Sequence, residues 1–132
     1  MYKIERKESG YFLKFAGSID PKEMQNWYED SLKHLNAEKS NSFGVIINMK
    51  DLMPLSIEAS SIMKKGQALY KTNGMKRSAV ILNSEKLCSQ FKMIAVQSGI
   101  FTTEKYINAQ QSPDYVEKAI AWVKDGIDPD KH

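Results

Sequence analysis

Three hydroxyls, Ser56, Ser60 and Ser61, stand at the opening of a helical stretch. It follows an apolar run, Phe43-Gly44-Val45-Ile46-Ile47-Asn48-Met49, and a connector, Lys50-Asp51-Leu52-Met53-Pro54-Leu55. The first turn of a helix leaves backbone N–H groups unpaired at the positive end of its dipole, so hydroxyls there can hold an anion or carry a phosphate. Phosphorylation or anion binding is therefore the chemistry that this spacing offers. Ser56 also has a purely structural task, because an N-cap oxygen that accepts from the first turn is worth about 1 kcal/mol. A phosphate on Ser56 would gain from the helix terminus and be opposed by Asp51 and Glu58.

The other reactive side chains form no catalytic set. His132 ends the sequence, and His34 falls between Lys33 and Asn36 near the end of a helix, with no nucleophile beside either. Glu23, Glu29 and Asp30 are spread along one helix as solvated acids are. Cys88, the single cysteine, sits among Leu87, Phe91 and Ile94, which reads as a small buried hydrophobe. One thiol makes no intrachain disulfide and no zinc or iron–sulfur cluster. Neither a glycine-rich phosphate cradle nor a metal-ligand spacing occurs. The expectation is no catalytic residue, no metal and no cofactor, with an enzyme of unidentified chemistry as the outside alternative.

The chain has 132 residues, 42% hydrophobic and 27% charged, which fits one domain with its own core over residues 1–126 and a tail at 127–132. A formal net charge of +3 is mild, and the lysines are interleaved with acids, so nucleic acid is not implied. No apolar run approaches the roughly 20 residues of an integral membrane segment. The start, Met1 to Glu8, alternates charged and apolar residues and lacks the apolar core of a secretion signal. A cytoplasmic location is expected.

Periodicity gives the elements that must position these groups. Tyr2, Ile4 and Arg6 alternate with Lys3, Glu5 and Lys7, and Tyr11–Ala16 follows the Ser9-Gly10 turn, predicting an antiparallel hairpin. Asp20-Pro21 opens a helix over Pro21–Asn36 with Met24, Trp27, Tyr28, Ser31 and Leu35 on one face. The polar stretch Asn36–Ser42 is a loop before the buried strand Phe43–Met49. A second helix, Ser56–Lys71, carries Ala59, Ile62, Met63, Gly66, Leu69 and Tyr70 on one stripe and stops at Asn73-Gly74. Lys76–Asn83 is a strand, and Ser84-Glu85 opens a helix with Leu87, Phe91, Ile94, Ala95 and Ser98 on one face up to Gly99. Glu104–Ala109 is a short strand. Ser112-Pro113-Asp114 caps a last helix bearing Val116, Ala119, Ile120 and Val123, closed by Asp125-Gly126, after which the tail is expected to be loose. The predicted class is α/β, a mixed five-stranded sheet with an N-terminal antiparallel hairpin and then parallel β-α-β units, covered by four helices.

In that order the elements resemble the STAS superfamily, the sulfate-transporter and anti-sigma-factor-antagonist domains, and in particular its stand-alone branch grouped with CRAL-TRIO lipid-binding domains. The likeness rests on three pieces. The first is Phe43–Met49 leading to Pro54-Leu55-Ser56 and a long helix. The second is Gly74-Met75-Lys76-Arg77-Ser78-Ala79-Val80 entering the next strand, and the third is Tyr106-Ile107-Asn108 followed by Ala119-Ile120-Ala121-Trp122-Val123. The resemblance implies a non-enzymatic regulatory or ligand-binding protein that self-associates as a homodimer. Antagonist members carry an Asp-Ser pair, with glycine soon after, as a phosphorylation switch at this helix start. Leu55-Ser56-Ile57-Glu58 keeps the serine, with no aspartate before it and no glycine after it, and Asn48 stands where an aspartate is common.

Two surface features complete the candidates. Met53-Pro54-Leu55 is an apolar tripeptide in a loop, where burial is harder than in a helix or strand. Lys64, Lys65, Lys71, Lys76 and Arg77 gather towards the end of the second helix and the next strand, either as a solvated rim or as a contact for an acidic partner or anionic lipid head group. Met49, Met53, Met63 and Met75 either fill the core or line an adaptable cavity, and Trp27 and Tyr28 pose a choice between core and dimer face. The expected function is a regulatory protein-interaction module that binds through the junction between the third strand and the second helix. Its partner or ligand surface is expected to include Met53, Pro54, Leu55, Lys64, Lys65 and Arg77. The alternative is a carrier or sensor of a small apolar or lipidic ligand.

Overall fold

Alternation along the strands divides the sheet into two faces. The computed structural model describes residues 1–8, 10–37 and 42–130. Ser9 of the hairpin turn, most of the Asn36–Ser42 loop and His132 lie outside them. The elements are β1 (Tyr2–Lys7), β2 (Gly10–Gly17), α1 (Pro21–Ala37), β3 (Phe43–Leu52), α2 (Ile57–Thr72), β4 (Met75–Leu82), α3 (Glu85–Ser98), β5 (Glu104–Asn108) and α4 (Tyr115–Asp125). The strands lie in the order β1-β2-β3-β4-β5. β1 and β2 pair antiparallel and every later pair is parallel. This is the mixed five-stranded α/β sheet with four helices that the sequence pattern implies.

On one face Tyr11, Leu13, Phe15, Val45, Ile47, Met49, Val80 and Leu82 join buried residues of α1, α2 and α3 in the main core. On the other, Ala79, Ile81 and Ile107 pack with Ala119 of α4, and Ile46, Trp122 and Val123 close the edge of that smaller cluster. The split follows from handedness. β2, β3, β4 and β5 are laid down one beside the next in the same direction, and right-handed crossovers then put all three connecting helices on one side.

Trp27 locks α1 to α2. Its ring packs edge-on to Phe15 with centroids 5.2 Å apart and stacks over Tyr70 at 6.2 Å. Tyr70 donates a hydrogen bond to Ser31 Oγ at 2.9 Å, which satisfies two buried hydroxyls. Gly66 is the helical residue that faces this ring, and a Cβ there would lie 2.2 Å from Trp27 Cη2 and Cζ3. Trp27 and Tyr28 are thus both committed to the core.

A polar cluster sits in the same interior. Glu104, on β5, is 2% exposed. Ser78 Oγ donates to its Oε1 at 2.9 Å, and its Oε2 meets Tyr106 Oη. That phenol also lies 3.1 Å from the Phe91 carbonyl. The carbonyl can only accept and the phenol has one proton, so every group is satisfied when Glu104 is protonated and donates to Tyr106, which in turn donates to Phe91. Burial is the larger influence and raises the Glu104 pKa to about 7, against the downward pull of its hydrogen bonds with Tyr106 and Ser78.

Several expectations are corrected in detail. β3 runs on to Leu52, because its partner β2 continues alongside after a register shift between Lys14 and Ala16, pairing Gly17 with Leu52. Val116 and Ile120 of α4 are exposed. α4 is pinned to the sheet by Trp122, whose Nε1 donates to Ser78 O at 2.9 Å, and it buries Ala119, so its buried stripe is narrower than the sequence implies. Residues 127–130 are not loose: Pro129 is buried and Asp128 pairs with Lys105 at 3.5 Å. Met49 and Met63 are buried and Met75 is half-buried against the core, which leaves Met53 exposed.

Gly66→Ala is expected to lower stability by about 1–3 kcal/mol in urea melts, although alanine is the better helix former, because overpacking against Trp27 outweighs propensity. An unchanged or raised midpoint would show that α1 and α2 do not meet this closely. The Glu104 carboxyl, with its folded pKa raised, stabilises the fold below its ordinary range near 4.5 and loses that contribution as pH rises through about 7. Relative to Glu104→Gln, the wild-type chain should therefore lose on the order of 3 kcal/mol between acidic pH and mildly alkaline pH. Parallel pH–stability curves for the two chains would contradict this assignment.

Candidate functional site

The junction between β3 and α2 is anchored at both ends and open in between. At its start Leu52 is buried, and Met53 N–H donates to Gly17 O at 3.0 Å, tying the connector to the end of β2. At its end Ser56 is the N-cap of α2 in extended backbone conformation, its Oγ accepting from Ala59 N–H at 3.1 Å. Ser56 O also accepts the Ser60 N–H at 2.9 Å. Between these ties Met53 is 57% exposed and Pro54 is exposed. Leu55 is turned inward and packs in the core, which corrects the expectation that all three apolar residues face outward. The reason is geometric: Leu55 precedes the cap and falls under the first turn, where its side chain closes the sheet end.

The first residue of α2, Ile57, is 90% exposed. It stands at the rim of a groove of about 450 Å³ between α2 and α3, which Leu55, Ser60, Ser61 and Lys64 line from one side and Met93 and Ile94 from the other. Met93 is 65% exposed. Ser60 Oγ is buried beside this groove and finds no hydrogen-bond partner among the described residues. The groove thus has apolar lips, the exposed Ser61 along one side and a lysine at one margin. Glu58 lies in the first turn of α2, and Lys50 draws Asp51 away at 3.6 Å.

The expected site residues separate into three groups. Ser60, Ser61, Lys64 and Leu55 line one groove, with Ser56 at its helix start and Met53 and Pro54 in the connector before it. Lys65 is exposed on α2 but does not line the groove. Arg77 belongs elsewhere: its guanidinium lies over the Trp122 ring at 5.7 Å on the α4 face of the sheet. Strand alternation explains the correction, since Arg77 shares a face with Ala79 and Ile81. Sequence reasoning missed Ile57 and Met93. The signal was present for Met93, an apolar residue off the Leu87–Phe91–Ile94 stripe, and for Ile57, which follows an N-cap where acids are usual.

Nothing at the junction pairs a base with a nucleophile. His34 is exposed on α1. Cys88 is half-buried on α3, where burial raises its thiol pKa above the ordinary value, as befits a packed thiol. Among the described residues no group of three His, Cys, Asp or Glu side chains could hold a metal ion, and no helix is long and apolar enough to cross a membrane.

No protein-family model matches the chain, and no curated protein matches it significantly. Solved structures do. One is an uncharacterized protein of the DUF3478 family with a SpoIIAA-like fold from Shewanella loihica PV-4, similar at a TM-score of 0.60 and 20% sequence identity over 90% of this chain and 92% of that one. Another is the anti-sigma factor antagonist SpoIIAA in its unphosphorylated form, at a TM-score of 0.56 and 11% identity over 89% of this chain and 96% of that one. Together with the strand order and the four covering helices, these likenesses give the chain a SpoIIAA-like α/β fold.

Proposed function

We propose that this chain is a regulatory binding module without catalytic chemistry, which recognises a partner protein through the β3–α2 junction and the adjoining groove, Met53–Ser61 with Lys64 and Met93. The observation that carries this reading is Ile57, a large aliphatic side chain left 90% exposed on a helix start that is itself fixed by the Ser56 cap. A rigid, exposed apolar side chain next to a second one, Met93, forms an anchor of the kind that protein interfaces bury at their centres. The SpoIIAA-like fold supports a regulatory module, since the solved relative of that name is an anti-sigma factor antagonist. Lys64 at the groove margin favours a partner with acids around an apolar centre.

Ser56 serves as the adjustable element in this reading. Its hydroxyl already accepts from the first turn, and a phosphate there would bring its charge to the positive helix end while Glu58 opposes it. Phosphorylation would alter recognition by placing charge beside Ile57, with α2 still capped. A carrier of apolar ligands held between the sheet and α1–α2 draws less support, because the space enclosed by Leu13, Trp27, Val45, Ile47, Tyr70 and Glu104 is about 10 Å³, room for one water at most. The room for such a ligand is on the other face, in a cleft of about 520 Å³ lined by Tyr11, Phe12, Ile46, Ile120 and Val123.

Quantitative mass spectrometry of proteins retained from a host lysate by the wild-type chain, Ile57→Asp, Ser56→Asp and a control, Lys33→Asp on α1, tests the surface. Ile57→Asp should reduce at least one retained protein by about tenfold or more, while its stability stays within about 0.5 kcal/mol of wild type because the side chain is exposed. The control should retain the full set. An identical set for all four chains would remove the proposal.

A further inference from the structure

The sheet has two edges, and they are dressed differently. On β1, Glu5 is flanked by Lys3 at 2.9 Å and Lys7 at 3.0 Å, the kind of charged rim that discourages an edge strand from pairing with another chain. β5 forms the opposite edge. None of its five residues is fully exposed, and its one lysine, Lys105, is drawn toward α4 by Asp128 at 3.5 Å and by the Trp122 ring at 5.2 Å.

Register fixes which backbone groups this edge presents. Ser78 N–H donates to Thr103 O at 3.0 Å and Ala109 N–H to Leu82 O at 2.6 Å, with Ser78 opposite Glu104 and Leu82 opposite Asn108. In a parallel ladder alternate residues turn both backbone groups to the same side. Residues 103, 105, 107 and 109 therefore serve β4, and the N–H and C=O groups of Glu104 and Tyr106 point away from the sheet. Along them runs a cleft of about 480 Å³, walled by Cys88, Lys92 and Val96 of α3 and, opposite, by Lys118, Pro129 and Asp130. Val96 and Phe101 expose apolar surface on the α3 side. Lys105 and Lys118, the latter also 3.8 Å from Asp114, border the α4 side together with Asp130. Lys92 and Glu85 stand on the α3 side, and the Glu104 carboxyl is spent inward on Ser78.

We propose that β5 is a docking edge for an extended segment of a partner protein in which apolar residues alternate with acids. Its backbone pairs with Glu104 and Tyr106, its apolar side chains lie against Val96 and Phe101, and its acids meet Lys105 and Lys118. An added strand sends alternate side chains to opposite faces, so one set meets the apolar surface of Val96 and Phe101 and the other meets Lys105 and Lys118. The recess of the edge selects the occupant: a free extended chain enters the cleft, whereas the β5 of a second copy, sunk between the same walls, cannot reach the floor. This surface is separate from the β3–α2 junction, and its test does not depend on that reading.

The probe is a fluorescein-labelled Val-Glu-Val-Glu-Val-Glu-Val peptide, compared by anisotropy with its Val-Lys counterpart and with a fully N-methylated copy. The Tyr106 amide exchange of the full chain is followed by NMR in parallel. The acidic peptide should bind and slow Tyr106 exchange, and the lysine and N-methylated peptides should bind at least about tenfold more weakly. Lys118→Glu should weaken the acidic peptide by a similar factor and leave the fold intact, as the retained amide spectrum would show. Absence of binding at about 1 mM peptide, or equal binding of the N-methylated copy, overturns the proposal. Tyr106 protection that rises with protein concentration in the absence of peptide also overturns it, since a second copy would then cover the edge.

Discussion

Handedness is the constraint from which the rest follows. Because β2 to β5 are added side by side in one direction, right-handed crossovers commit α1, α2 and α3 to one sheet face and leave α4 to cover the other. That single choice places Trp27, Tyr70 and Phe91 in one core. The shared direction of the strands also brings the connectors that leave β3, β4 and β5 to the same end of the sheet. The β3–α2 junction is one of these connectors, and the groove beside it exists because α2 and α3 are neighbours on one face.

The interior explains why that surface is rigid. Gly66 lets Trp27 lie directly against α2, and the Tyr70–Ser31 hydrogen bond closes the same contact with both hydroxyls satisfied. α2 is therefore held along its length from below, and Ser56 holds its first turn. Ile57 is presented from a fixed backbone, which lowers the ordering cost of any contact it makes. Glu104 adds a different property: an acid satisfied by Ser78 and Tyr106 ties the stability of β5 to pH without facing the partner surface.

Much of this was legible in the residues. Asp20-Pro21, Ser56, Ser84 and Asp125-Gly126 mark helix ends, and Glu23 N–H indeed donates to Asp20 Oδ1 at 2.8 Å. Apolar periodicity was enough for the α1 and α2 faces. It failed where a side chain's role depends on distant neighbours. Leu55 looks like loop surface until the first turn of α2 closes over it, and Arg77 looks like part of a lysine cluster until strand alternation sends it to Trp122. Pro129 looks like tail until it packs beside β5. Glu104 is the clearest case, because a glutamate at a strand start carries no local sign that Ser78 and Tyr106 will enclose it. The exposed Ile57 and Met93 were visible as apolar residues out of phase, a signal that periodicity registers only when the mismatches are read as well as the matches.

The most direct test of the proposed partner surface is site-specific photo-crosslinking in the host cell, with benzoylphenylalanine placed in turn at positions 57, 93 and 33. The same partner adduct is expected from positions 57 and 93, which flank one groove, and none from position 33 on α1. Adducts from position 33 alone, or from none of the three while the chain still captures partners, would contradict the proposed partner surface.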